Sequence, residues 1–173
     1  MMTPGVRKLA LTAHVTCSVG WLGAVAGFLA LAIAGLTSRD AEALKSSYVA
    51  MNLTGWYVIV PLCFASLVTG LIQALGTPWG LFRHYWVVTK LLIAIVATIL
   101  LLVHMRPIAF LGGAAADRAL GPGDYRDVRV QLVADAGAAL LVLLVATTLS
   151  VYKPRGLTKY GWRRQRQHAS TIP

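Results

Sequence analysis

The sequence predicts an all-α integral membrane protein: an up-down-up-down four-helix bundle with both termini in the cytoplasm. Three observations carry that prediction. First, the apolar stretches 9–36, 46–76, 85–105 and 130–152 hold between them only two Lys, Arg, Asp or Glu residues, Lys90 and Asp135. Each reaches the ~20 apolar residues that cross bilayer hydrocarbon as a helix. Hydrocarbon offers the backbone no hydrogen-bond partner, so a spanning segment must be a helix or a strand of a closed barrel. Uninterrupted runs lack the two-residue alternation of a barrel strand. Second, 57% of residues are hydrophobic and 13% charged, with mean hydropathy +0.68; soluble domains carry roughly 25% charge. Third, the charge of +10 is segregated. With four spans taken in order, one side receives Arg7, Lys8, Arg83, Lys153, Arg155, Lys159, Arg163, Arg164 and Arg166 and no acid. The other receives Arg39, Lys45, Arg106, Arg118, Arg126 and Arg129 against Asp40, Glu42, Asp117, Asp124 and Asp127. The positive-inside rule turns the acid-free side toward the cytoplasm of a cell inner membrane.

The elements follow in order, as one membrane domain over residues 1–152 and a basic cytoplasmic tail over 153–173. Span 1 covers about 9–36. Arg7-Lys8 and Ala32-Ile33-Ala34 imitate a cleaved leader, but the apolar run is longer than the ~7–15 residues of a signal-peptide core, so an uncleaved span is expected. Its Gly23-x-x-x-Gly27 spacing suits close helix approach and marks a face for packing or a homo-oligomer. Residues 37–45 form a short outer loop, in which the stretch from Ser38 to Glu42 caps a helical turn. Span 2 covers 46–76, kinked by Pro61, which removes a backbone donor. Gly76-Thr77-Pro78-Trp79-Gly80 reads as a turn.

Span 3 covers about 84–108, with Pro107 near its end, and residues 112–127, rich in Gly and charge, form the longest outer loop. Span 4 covers about 129–152 and is stopped by Lys153-Pro154-Arg155-Gly156. Short connections make consecutive spans antiparallel neighbours. The tail, with Tyr152, Tyr160 and Trp162 among its bases, reads as an anchor on anionic lipid. Nucleic acid is not an expected partner, because a basic tail beside a span serves topology. Cys17 and Cys63 lie inside spans and read as small buried hydrophobes rather than a disulfide.

Ionisable groups at membrane depth are costly and mark candidate sites. His14 and Lys90 share a level about 8–9 Å inside the inner boundary by helix rise. They read either as a buried polar site or as a snorkelling lysine and a histidine bonded to backbone. His104 and Asp135 share an outer level, as an imidazole–carboxylate couple or as separately satisfied groups, with Arg106 and Arg129 competing for the carboxylate. His14 and His104 stand roughly 20 Å apart along the membrane normal, too far to clamp one haem iron between them. Cys17 follows His14 on the same helix face, which leaves a copper-binding or transport reading open, with Cys63 as a further thiol.

His14-x6-Trp21-Leu-Gly23 and Trp86-x3-Lys90 resemble a group of four-span bacterial membrane proteins. That group includes an integral membrane family of unknown function, copper-resistance D-type membrane domains and HemJ-type protoporphyrinogen IX oxidases. In the last, a His seven residues before a Trp and a Lys four residues after a Trp carry the function and are associated with haem b. The resemblance, strongest over spans 1 to 3, implies a haem or porphyrin-binding redox role with His14, Trp21, Trp86 and Lys90 at the cofactor and His14 as iron ligand. The chain departs from the oxidase pattern at Val87, Val88 and Thr89, where the oxidases place a His, and His104 lies fourteen positions after Lys90. A third expectation is a non-catalytic membrane module.

Overall fold

A computed structural model describes residues 2–76, 81–117, 120–121, 123–152, 156–158 and 161–163. Its helices are α1 (Pro4–Thr37), α2 (Ala41–Thr54), α3 (Val60–Gly76), α4 (Tyr85–Asp117) and α5 (Arg126–Tyr152), with a π-helical turn over Gly55–Ile59 joining α2 to α3 as one continuous span. Four helical segments are therefore long and apolar enough to cross a membrane. Their apolar faces look outward. The most apolar window of α4 has mean hydropathy 2.6, yet only 6% of it is buried within the chain. A water-soluble bundle would turn such a face inward, so these helices define a multi-pass membrane protein.

The spans pack as a ring. α1 touches α2, α3 and α5, and α4 touches α2, α3 and α5, while α1 and α4 make no backbone approach among the described residues. Consecutive spans are thus neighbours, and the first and third lie on a diagonal. Met2 N donates to Gly76 O at 3.5 Å, and Tyr85 N donates to Gly156 O at 3.4 Å. These bonds gather the starts of α1 and α4, the end of α3 and the segment after α5 at one end, the tail end. The opposite, head end carries the turns around residues 38–40 and 123–125.

α1 starts at a proline in its first turn, where a missing N–H costs nothing. It buries Trp21, Val25, Phe28, Ala32 and Gly35, a three-to-four-residue spacing that defines one face. α2 starts earlier than the sequence suggests. The Asp40 carboxylate accepts from Ala43 N at 3.1 Å as an N-cap, so most of the expected 37–45 loop is helix. The distortion expected at Pro61 is a π turn four residues upstream, where Val60 N donates to Gly55 O. A proline nitrogen cannot donate to the carbonyl four residues back and its ring crowds that carbonyl, which the wider turn relieves.

The expected end of span 3 near Pro107 and the long 112–127 loop are corrected. α4 passes through Pro107 and continues to Asp117. One lost backbone bond is outweighed by packing, since Ile108, Leu111, Gly112 and Ala115 are all buried. Beyond α4, Leu120 is 1% exposed. Asp124 accepts from Gly121 N at 2.9 Å, and its own N donates to Gly121 O at 3.1 Å. Tyr125 takes a left-handed backbone (φ 51°) and packs edge-on against Phe110 at 5.1 Å, just before α5.

Most of the fully buried side chains lie toward the head end. Lipid gives apolar helices no hydrophobic reason to associate, so close approach and internal polar bonds must hold them. Gly112 meets Asn52 of α2, where a Cβ would stand 2.7 Å from the Asn52 Cβ. Gly35 meets Tyr48, where a Cβ would stand 2.8 Å from the ring. Arg129 is 1% exposed, donates to Gly121 O at 2.9 Å and lies over the Tyr48 ring at 5.4 Å. By contrast, Gly23 and Gly27 are exposed and have nothing within reach of an added Cβ.

Part of the expected tail is folded back. Thr158 N donates to Arg83 O at 3.1 Å, Leu157 forms an antiparallel bridge with His84, and Gly161 N donates to the Thr158 hydroxyl at 3.1 Å. Residues 153–155, 159–160 and 164–173, which carry most of the tail's bases, lie outside the described residues.

Candidate functional site

α1 brings His14 and Ser18, one helical turn apart, against α3. His14 Nδ1 lies 3.1 Å from Ser66 O and 3.2 Å from Thr69 Oγ1, and Ser18 Oγ lies 2.8 Å from Ser66 Oγ. A carbonyl has no proton to give, so Nδ1 carries one and donates it. The Thr69 hydroxyl spends its own proton on Ala65 O at 2.6 Å, which leaves its oxygen to accept from the imidazole. In the neutral ring the lone pair then belongs to Nε2. Gly70 makes this seating possible, since a Cβ there would stand 3.1 Å from His14 Cε1.

Trp21 lies two turns beyond His14 and is 6% exposed within the packed face of α1. Lys90 sits half-buried on α4 with Nζ 5.9 Å from the ring centre of Trp86, one turn earlier. Although α1 and α4 are diagonal, the Lys90 ammonium lies within electrostatic reach of the His14 imidazole. Trp86 also stands 6.4 Å from the His84 ring. His14 and Lys90 thus lie on the diagonal helices α1 and α4, both of which pack against α3.

Cys17 is half-buried and free. Cys63 is free and fully buried, with its sulfur 3.2 Å from Thr98 Oγ1. Thr98 donates to Ala94 O at 2.7 Å, so the thiol is the donor to Thr98. That turns Cys63 toward α4, whereas Ser66 and Thr69 of the same helix face α1. Among the described residues no group of three or more His, Cys, Asp or Glu side chains is arranged to hold a metal ion. A copper centre would have to complete its ligand set from other atoms.

The outer pair does meet. His104 Nε2 is 2.9 Å from Asp135 Oδ2, and His104 Nδ1 is 2.7 Å from Leu100 O. Of the competing cations, Arg129 is committed to the head-end core and Arg106 is exposed.

Ser66, Thr69 and Gly70 were not singled out from the sequence. Their signal was present: small polar residues and a glycine spaced by three and four in an apolar span form a hydrogen-bonding face. Tyr48 and Arg129 are buried as well, and apolar length does not mark them, because each is a polar residue near the end of its span.

No family model matches the chain, and no curated protein or solved structure is significantly similar to it. Fold and site define the class: an all-helical membrane protein with four candidate spans and polar groups at two levels.

Proposed function

We propose that this is a bacterial inner-membrane protein that binds haem b or a related porphyrin in a redox role, with His14 Nε2 as the iron ligand. The observation that carries this reading is the Nδ1–H bond from His14 to Ser66 O at 3.1 Å. Metal-ligating histidines almost always fix their second nitrogen on a carbonyl or carboxylate, which sets the tautomer and aims the free lone pair. The donor set suits a single axial imidazole. Lys90 supplies a cation for a propionate, and the Trp21 and Trp86 rings supply apolar surface. Bound haem would contribute a one-electron iron couple; the chain contributes ligation, charge and exclusion of water.

The orientation belongs to the same proposal. Of the acid-free set of bases, the described Arg7, Lys8, Arg83 and Arg163 lie toward the tail end, and the positive-inside rule favours the cytoplasm for that end. The Gly23/Gly27 face, open in the single chain, is assigned to contact with a second copy.

The test is the visible spectrum of purified protein after haem supplementation. A Soret band that is lost in His14→Ala and retained in His104→Ala supports the reading. A band unchanged in His14→Ala, or none in the folded wild-type chain, overturns it.

A further inference from the structure

The head-end half of the molecule carries a second titratable site that the haem reading does not use. His104 Nδ1 must bear a proton, because Leu100 O, 2.7 Å away, can only accept. Nε2 then faces Asp135 Oδ2 at 2.9 Å. A bare imidazole lone pair and a carboxylate oxygen repel at this distance, so one of the two groups carries a proton. The couple is therefore either imidazolium with carboxylate or imidazole with carboxylic acid, and both states have zero net charge. Removing the proton leaves neutral imidazole beside a bare carboxylate, a net negative charge among apolar helices. Oδ2 is sealed from solvent and meets no well-aligned hydrogen-bond donor, so the Nε2 contact, an ion pair by distance, is what compensates it.

The couple is not locked in a core. Its side chains are 26% and 35% exposed along the seam between α4 and α5. On α5, Asp127, Gln131 and Asp135 follow one another at four-residue spacing, a polar row from the head-end turn down to the couple. Asp127 and Gln131 are exposed.

Other charged and titratable groups lie on the same and neighbouring helices. On α4, Arg106 and Asp117 are exposed and Lys90 lies fourteen residues away, about 21 Å by helix rise. On α5, Arg129 turns to Gly121 O and the Tyr48 ring, and Arg126 is exposed. α2 brings Tyr48 beneath Arg129, with Glu42 and Lys45 exposed. α3 brings only Cys63, bonded to Thr98, and the π turn only Tyr57, exposed. α1 brings His14 and Cys17 from its tail-end half.

We propose that His104 and Asp135 form a proton-binding site that holds one proton on the couple and exchanges it with the head-end compartment along the Asp127–Gln131 row. Release takes that proton into water and leaves imidazole and carboxylate; uptake reverses this. The site stands independently of the haem reading.

The full chain, reconstituted in bilayers, is followed by infrared difference spectroscopy as the pH of the head-end compartment is stepped. Paired carboxyl and imidazole bands that disappear together in Asp135→Asn and in His104→Gln are expected. Bands that survive either substitution, or no bands in the wild-type chain, overturn the proposal. Gln131→Leu keeps the couple itself and serves if either variant misfolds: proton uptake after a pH jump should slow several-fold, and an unchanged rate contradicts the proposed route.

Discussion

Gly112 and Gly113 are adjacent on α4 and should respond oppositely to the same substitution. A Cβ on Gly112 would lie 2.7 Å from Asn52 Cβ, 3.1 Å from its Cγ and 3.2 Å from its Nδ2, whereas a Cβ on Gly113 would meet nothing within 4 Å. Asn52 Cβ is fixed to the α2 backbone and cannot rotate away, so Gly112→Ala must push α2 and α4 apart by several tenths of an ångström. Overpacking of this kind costs about 1–3 kcal/mol. It also exceeds the ~1 kcal/mol that alanine gains over glycine in a helix interior. Gly113→Ala collects only that gain. The two variants should therefore differ by about 2 kcal/mol, roughly 30-fold in the unfolding equilibrium. Reversible unfolding in mixed detergent micelles, read by tryptophan fluorescence, measures the difference. Equal stability of the two, or a Gly113→Ala chain weaker than Gly112→Ala, would refute the close approach of α2 and α4.

Further substitutions probe other joints. Arg129→Met removes the donor to Gly121 O and should lower stability by about 1.5–3 kcal/mol, the worth of a hydrogen bond from a charged group; limited proteolysis should then cut faster between α4 and α5. Asp40→Ala removes the α2 cap at a cost of about 1 kcal/mol, while Asp40→Asn largely restores it; thermal unfolding in micelles orders the three chains. Thr69→Val takes one of the two acceptors from His14 while Ser66 O remains, so it should cost only about 0.5–1.5 kcal/mol. On the haem reading the Soret band should survive in that variant and shift slightly.

Four spans are legible in the sequence because apolar length is a local property that survives any packing. The two levels of His14, Lys90, His104 and Asp135 are legible too, since helix rise converts residue number into depth. The partner of each face is not. Pro107 reads as a terminus because a proline costs a bond locally; the compensation comes from buried residues beyond it, with Gly112 against Asn52 of α2, a contact distant in sequence. Arg129 looked like a boundary charge, yet a carbonyl at Gly121 and the Tyr48 ring draw it inside. The Ser66–Gly70 face was hidden for a similar reason: small polar residues in an apolar run become informative only when the helix opposite is known to present an imidazole.

Outward-facing apolar helices are the foundation for both polar levels, and a photoactivatable lipid tests them without substitution. The chain is reconstituted in bilayers containing a carbene-generating acyl chain, illuminated and mapped by peptide mass spectrometry. Adducts should fall on exposed residues such as Leu92, Val96, Ile99 and Val103 of α4 and Leu141 and Val145 of α5, and should spare the buried Cys63, Thr98 and Leu143. Adducts spread equally over the buried positions, or absent from the exposed α4 row, would contradict the lipid-facing arrangement.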